Sequence, residues 1–337
     1  MFAHVHIESL AFDEAPIRVT SAALEDQLSD TYGRLGIPSR CIESLVGIVA
    51  RRFWPVGADM VQAATAVAAR CIDEAGIPRE RIGLLVNCSV TKEVLEPSMA
   101  SMIHGDLGLA PTALNYDISN ACLGFLSAMD VAARMLESGA IDYALVVAAE
   151  SSRRVVENTV EALRHPSSTM QQYKEWLPTL TLGSGACAML LSRGRVARSP
   201  TRLLGVVARA ATMHSRVCVG TWEQMRTDAP KLLSEGVALA ERTWQAAVET
   251  FGWSDASLRQ YICHQVGAGH LATLMKRLAL PVEKAFPTYP ELGNMGSIAV
   301  PCTLRLALDD GVIGRGDAVA LMGIGSGLNC SMAHVAY

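Results

Sequence analysis

The feature that most constrains this chain is an internal repeat of long period. The helical stretch 58–76 (ADMVQAATAVAARCIDEAG) leads through a short charged turn to an apolar strand at 82–86. Far downstream, 234–252 (SEGVALAERTWQAAVETFG) leads in the same way to a strand at 261–263, an offset of about 176 residues. The following pieces keep nearly that spacing. The continuous apolar run 143–149 (YALVVAA), which reads as a strand buried on both faces, is answered by 318–322 (AVALM). The run 183–191 (GSGACAMLL) is answered at a shorter offset by 327–335 (GLNCSMAHV). The first half therefore carries roughly thirty extra residues, at about 151–180, a polar, charged stretch holding Pro166 and Pro178. It reads as a surface excursion, a helical lid or an interface element. Strands alternating with amphipathic helices, twice over, predict a duplicated α/β fold with halves at 1–195 and 196–337 around one core. In such sheets a ligand site lies beyond the carboxyl ends of the strands, here where the halves meet.

Composition narrows the function. Half of the 337 residues are apolar, and the formal net charge is -4, so no overall basic field draws nucleic acid or an anionic membrane. The N-terminus lacks the basic start, apolar core and cleavage site of a secretory signal. No apolar run approaches the ~18 residues of a membrane span, so a cytoplasmic protein is expected. None of the nine cysteines lies within four residues of another, which fits neither a disulfide framework nor a zinc site, and no metal is expected.

The strongest chemical signal is 115–130 (NYDISNACLGFLSAMD). Small and apolar residues recur there with helical period until Gly139, placing Cys122 in the first turn of a helix. A thiol at that position feels the partial positive charge of the helix N-terminus, which favours thiolate and supplies donors for an oxyanion. In the second half, His264 directly follows the strand 261–263, and Asn294 sits in the glycine-flanked turn ELGNMGSIAVP ahead of a further helix. Each alone also fits a structural role: a buried thiol, a satisfied histidine, a left-handed turn asparagine. Position decides between these readings. Gly296 is the repeat counterpart of Cys122, so pseudo-symmetry brings both turns to one crevice and gives a nucleophile its proton-handling and oxyanion partners. The glycine-rich 323–327 (GIGSG) lacks the spacing of a phosphate loop and reads either as a tight turn or, through the N–H of Ser326, as an oxyanion donor. The run Ser89-Val90-Thr91-Lys92 matches S-x-x-K, but its companions S-D-N and K-T-G are missing.

Taken in order, NACLGF around Cys122, ICHQVG around His264, GNMGSIAVP around Asn294 and the final GIGSGLNCSMA resemble the thiolase superfamily, specifically ketoacyl synthase III-like condensing enzymes. Through VTKEVLEPSMAS, NACLGF and GIGSGLNCSMA the chain looks most like the OleA-type thiolases of bacterial long-chain olefin biosynthesis. The resemblance implies a thiolase-like duplicated αβαβα five-layer fold and a homodimer. It implies a ping-pong reaction in which Cys122 takes an acyl group from coenzyme A and a second acyl-CoA condenses onto it. His264 and Asn294 would hold the second carbonyl as its enolate forms, and the N–H groups of Cys122 and Ser326 would bind the other oxyanion.

The same resemblance implies a Claisen condensation without decarboxylation, giving a 2-alkyl-3-oxo acid on the way to a long-chain olefin or a related hydrocarbon or β-lactone. That route needs a base to remove an α-proton, and Glu96 in LEPS matches the glutamate that reaches across the dimer. Coenzyme A thioesters enter as substrates, with no resident cofactor. Arg51 and Arg52 sit where basic residues hold the coenzyme A phosphates, and enzymes of the downstream pathway are candidate partners. Two alternatives are a decarboxylative 3-oxoacyl-ACP synthase III-like enzyme or acyltransferase, which would not need Glu96, and a silent subunit that binds acyl chains, which would not need Cys122, His264 and Asn294.

Overall fold

A single nine-stranded sheet with two wings carries the repeat. The computed structural model describes residues 1–92 and 94–337. The first half contributes β1 (Val5–Glu14), a separate ribbon of β2 (Ile17–Thr20) and β3 (Ala50–Phe53), then β4 (Ile82–Asn87), β5 (Leu114–Asp117), β6 (Tyr143–Glu150) and β7 (Gly185–Arg193). The second contributes β8 (Arg202–Ala210), a ribbon of β9 (Cys218–Gly220) and β10 (Met225–Thr227), then β11 (Gln260–Cys263), β12 (Ala318–Gly325) and β13 (Asn329–Ala336). Across the sheet the order is β11-β12-β13-β8-β1-β7-β6-β4-β5. Read outward from the seam, where His6 of β1 meets Arg202 of β8, the wings match strand for strand. Each has two antiparallel neighbours and then a parallel pair, and Ala285 bridges Tyr261 of β11 where β5 flanks β4.

Period-two alternation in these strands feeds separate layers. Leu84 and Val86 of β4 face a central layer, whereas Leu85 between them faces outward. Three short helices, α1 (Ser21–Asp26), α2 (Ser29–Leu35) and α3 (Cys41–Val46), precede the first covering pair, α4 (Met60–Ala75) and α5 (Met99–Leu107), which packs on the outer face of the first wing. Helix α6 (Gly124–Glu137) lies between the wings. After it come α7 (Arg153–Arg164) and α8 (Met170–Trp176), then α9 (Ala229–Phe251) and α10 (Ala268–Arg277), which cover the outer face of the second wing. The short α11 (Tyr289–Leu292) leads to α12 (Ala299–Asp309), which joins α6 in the middle. Five layers result, as the resemblance implied, and the central one draws on both wings and both inner helices.

Local signals set the helix ends. Asp59 caps α4 by accepting from the N–H groups of Val61 and Gln62, and Gly76 ends it in the left-handed region. The second repeat helix starts earlier than the periodicity predicts, at Ala229, because Asp228 accepts from Lys231 N–H and Pro230 fits the first turn. The stretch 151–180 forms α7, α8 and a 3-10 turn. It packs against α1 to α3 around Leu28, Ile42, Val156 and Leu163, a fourth cluster that caps the sheet at the end where the parallel strands finish.

Candidate active site

Cys122 lies in a 3-10 turn, Ala121–Leu123, that immediately precedes α6. Leu123 N–H donates to Asn120 O at 2.9 Å, and Ala121 takes the left-handed φ of 46°, a conformation a β-carbon disfavours. Gly124 lets the start of α6 approach the backbone closely just past β4, since a Cβ there would sit 2.7 Å from Cys88 O. The helix thus begins just past Cys122 rather than including it in its first turn. The expected thiolate is also corrected: burial pushes the Cys122 thiol up to about 12, with the nearby Cys218 and Glu150 acting in the same direction and a backbone N–H opposing. Desolvation outweighs the donors of the turn, so the resting group is the neutral thiol.

His264 extends the β11–β12 ladder by one residue, its N–H donating to Met322 O at 2.7 Å. The side chain is buried, and Nδ1 points inward without a hydrogen-bond partner. Burial, reinforced by His270, pushes it down to about 3, so the ring is neutral. Asn294 is held on both sides, its N–H donating to Thr181 O and its carbonyl accepting from Gly183 N–H, each at 2.8 Å. Gly296 N–H donates to Asn294 Oδ1 at 3.1 Å, which leaves the side-chain Nδ2 as a free pair of donors. Asn294 follows Gly293, whose φ of 66° and position 2.4 Å (as a Cβ) from Thr181 O admit only glycine.

The turn of Cys122 and its repeat counterpart, Gly296–Ile298, pack against each other, and each rests on the strand of the opposite half. Gly325 at the end of β12 abuts the Cys122 turn: a Cβ there would lie 3.1 Å from Leu123 N and 3.4 Å from Cys122 N. Ser326 follows directly, its hydroxyl beside the Cys218 thiol. At the equivalent place on β6 stands Glu150, against the Gly296 turn. Its buried carboxylate accepts from Val90 N–H (2.9 Å), Thr91 N–H (3.1 Å), Thr91 Oγ1 (2.9 Å) and Ser297 Oγ. Burial raises this carboxyl while the donors pull it back. The sequence reading missed Glu150, although a lone carboxylate closing an otherwise apolar strand at its carboxyl end is a legible signal.

The other expected residues divide. Glu96 is exposed within the single chain, on a loop whose Leu95 is fully exposed and whose Val94 is partly so. Arg51 is corrected: it is fully buried in β3 and donates to Leu180 O at 2.8 Å and Val19 O at 3.4 Å, so it is not presented to a phosphate. Arg52 is partly exposed and paired with Glu14 at 2.9 Å. The S-x-x-K residues are structural, Ser89 bonding Asn87 and Ala149, and Lys92 pairing with Asp117 at 3.0 Å. Among the described residues no group of three or more His, Cys, Asp or Glu is placed to hold a metal ion.

Comparison with known proteins agrees with this architecture. Residues 116–211 match the model of 3-oxoacyl-[acyl-carrier-protein] synthase III, and residues 248–337 match the model of its C-terminal region. An acyl-CoA:acyl-CoA alkyltransferase of Xanthomonas campestris pv. campestris is 41% identical over 337 residues, covering 100% of both chains. The chain belongs to the OleA branch of the ketoacyl synthase III-like condensing enzymes. A second member, the acyl-CoA:acyl-CoA alkyltransferase of Shewanella oneidensis, is 39% identical over 345 residues and 98% of each chain. Among solved OleA structures, a cysteine-to-serine variant of the Xanthomonas campestris protein with bound lauric acid and lauroyl-CoA superposes with a TM-score of 0.97 at 41% identity, over 100% of both chains. A variant of the same protein with a glutamate replaced by alanine gives 0.98 over 100% of this chain and 99% of that one. No helix among the described residues is long and apolar enough to cross a membrane.

Proposed function

We propose that this protein joins two acyl-CoA molecules by a Claisen condensation without decarboxylation, releasing a 2-alkyl-3-oxo acid. Cys122 Sγ attacks the first thioester and becomes acylated, and its proton leaves with the coenzyme A thiol. Glu96 from the partner subunit of a homodimer removes an α-proton from the second acyl-CoA. The developing enolate oxygen is met by two neutral donors, His264 Nε2–H and Asn294 Nδ2–H, where a fixed dipole stabilises charge without a competing cation. The α-carbon then attacks the acyl-cysteine carbonyl, whose oxyanion is held by the N–H groups of Cys122 and Ser326. Collapse expels the Cys122 thiolate and leaves a 2-alkyl-3-oxoacyl-CoA, and water cleaves its thioester to the acid and coenzyme A. Coenzyme A esters are substrates, no resident cofactor enters, and the cytoplasm is where such thioesters are met.

Glu96 carries the reading. A decarboxylating synthase makes its carbanion by losing carbon dioxide and has no use for a base on a projecting loop. The exposed Leu95, together with the half-exposed Leu114 on the unpaired edge of β5, supports a second copy covering this face. In the solved Xanthomonas OleA variants the replaced residues are a glutamate, a cysteine and a histidine, spaced along that chain at the same intervals as Glu96, Cys122 and His264 here. The test supplies a long-chain acyl-CoA alone. Wild type should release coenzyme A and form the branched keto acid, and Glu96→Gln should acylate Cys122 normally while condensation falls about 10²- to 10⁴-fold. Condensation surviving in Cys122→Ala, or strictly requiring a malonyl thioester, would overturn the proposal.

A further inference from the structure

We infer that Glu150 is a positioning residue for proton abstraction, a latch that ties the root of the loop whose Glu96 serves the partner's site to the turn bearing Asn294 in its own subunit. This inference rests on the function proposed above. Glu150 ends β6 and touches neither substrate in that scheme, yet among the described residues its buried carboxylate ties the 88–98 loop to the second-half turn. One oxygen accepts from Val90 N–H and Ser297 Oγ, the other from Thr91 N–H and Thr91 Oγ1. The tie continues beyond it, since Thr91 Oγ1 also accepts from Ser151 N–H at 2.8 Å. At the far end of the loop, Asp117 accepts from Met99 N–H (3.3 Å) and Ala100 N–H (3.0 Å) and pairs with Lys92. The exposed segment with Leu95 and Glu96 is therefore a span between two anchored ends, and Glu150 is the anchor it shares with Asn294.

The repeat sharpens the point. The equivalent position in the second half is Gly325, which carries no side chain because the Cys122 turn packs directly against it. Duplication alone does not require a carboxylate at such a strand end. A four-donor carboxylate also has a definite chemical demand: an amide in its place offers only one acceptor oxygen and turns an N–H₂ toward groups that themselves donate. Glu150→Gln keeps the volume and breaks the tie.

The two half-reactions are read separately. Acylation of Cys122 by a long-chain acyl-CoA is followed by mass spectrometry and the coenzyme A burst, and condensation by product formation. Glu150→Gln should lower the kcat of condensation at least tenfold, with the acylation rate and the KM for acyl-CoA within about twofold of wild type. A merely structural role would depress both half-reactions in proportion. Proportional loss, or none, overturns the inference. If Glu150→Gln does not fold, Thr91→Val decides: it removes only the Thr91 hydroxyl bonds and should slow condensation severalfold with acylation intact. Equal effects on the two steps in that variant likewise overturn it. Failure of the wild type itself to condense sinks the proposed function, whereas a condensing wild type matched by Glu150→Gln sinks the latch alone.

Discussion

A methyl group placed on Gly325 tests whether the Cys122 turn is positioned by contact with β12. The added Cβ would lie 3.1 Å from Leu123 N, 3.2 Å from Asn120 O and 3.4 Å from Cys122 N, all backbone atoms of one turn. Ordinary contact begins near 3.4 Å, so the turn must move away by a few tenths of an ångström, and no flexible side chain can absorb the shift. Ala121 already occupies a disfavoured φ, and Leu123 N–H to Asn120 O closes the turn, so it moves as a unit and takes Sγ with it. If 1 Å of misplacement costs about 10²-fold in rate, a shift of about 0.3 Å costs about fourfold. Overpacking adds about 1–3 kcal/mol of destabilisation. Gly323→Ala is the control: its Cβ would meet the Leu126 Cδ1 and Leu123 Cδ2 methyls, so the strain falls on side-chain ends in the central core rather than on the backbone of the turn. Rapid-quench mass spectrometry of Cys122 acylation and thermal melts should show Gly325→Ala slow in acylation, and Gly323→Ala less stable yet acylating at nearly the wild-type rate. A Gly325→Ala protein that acylates at full speed would refute the contact argument.

Three further outcomes follow from the same coordinates. His264 and His270 are pushed by burial down to about 3 and about 4, so the folded chain stays unprotonated where the unfolded chain takes up protons below about 6.5. Stability is then full above that pH and falls on acidification, by up to about 1.4 kcal/mol per pH unit for each histidine, with His334 lowered by burial in the same direction; urea titrations should show His270→Gln reducing the slope between pH 6.5 and 5 by about a third or more, and an unchanged slope counts against it. Arg51→Met strands the Leu180 carbonyl, beside the buried Glu25, and should destabilise the fold by about 3 kcal/mol with the KM for acyl-CoA unchanged; a raised KM at wild-type stability would return Arg51 to the phosphate site. Leu95→Asp places a charge on the fully exposed residue beside Glu96 and should yield monomers in sedimentation that acylate Cys122 without condensing; a monomer that still condenses would contradict the trans-acting base.

The wings of the sheet were legible because strands buried on both faces and capped amphipathic helices announce themselves by period alone. The pairing of 143–149 with 318–322 therefore survives as β6 and β12. Cys122, His264 and Asn294 were legible as strand-end and turn residues at related positions in the repeat. What period cannot report is the environment arriving from distant segments. The protonation of Cys122 is set first by desolvation among segments folded over it, with Cys218 of the β9 ribbon and Glu150 of β6 adding to it. The burial of Arg51 depends on Leu180, supplied by the excursion that reads simply as surface. Glu150 itself escaped notice because its importance lies in four donors from two distant places in the chain, neither of which forms a motif with it.

The crossed footing of the two turns makes this polypeptide a tethered pair rather than a catalytic half with an appendage. The cysteine leans on the final strands, and the asparagine turn leans on the earlier ones. Severing the chain in the connection between β7 and β8 should leave two fragments, neither with a finished pocket. Activity should return only on remixing, at a rate that rises with the concentration of each piece.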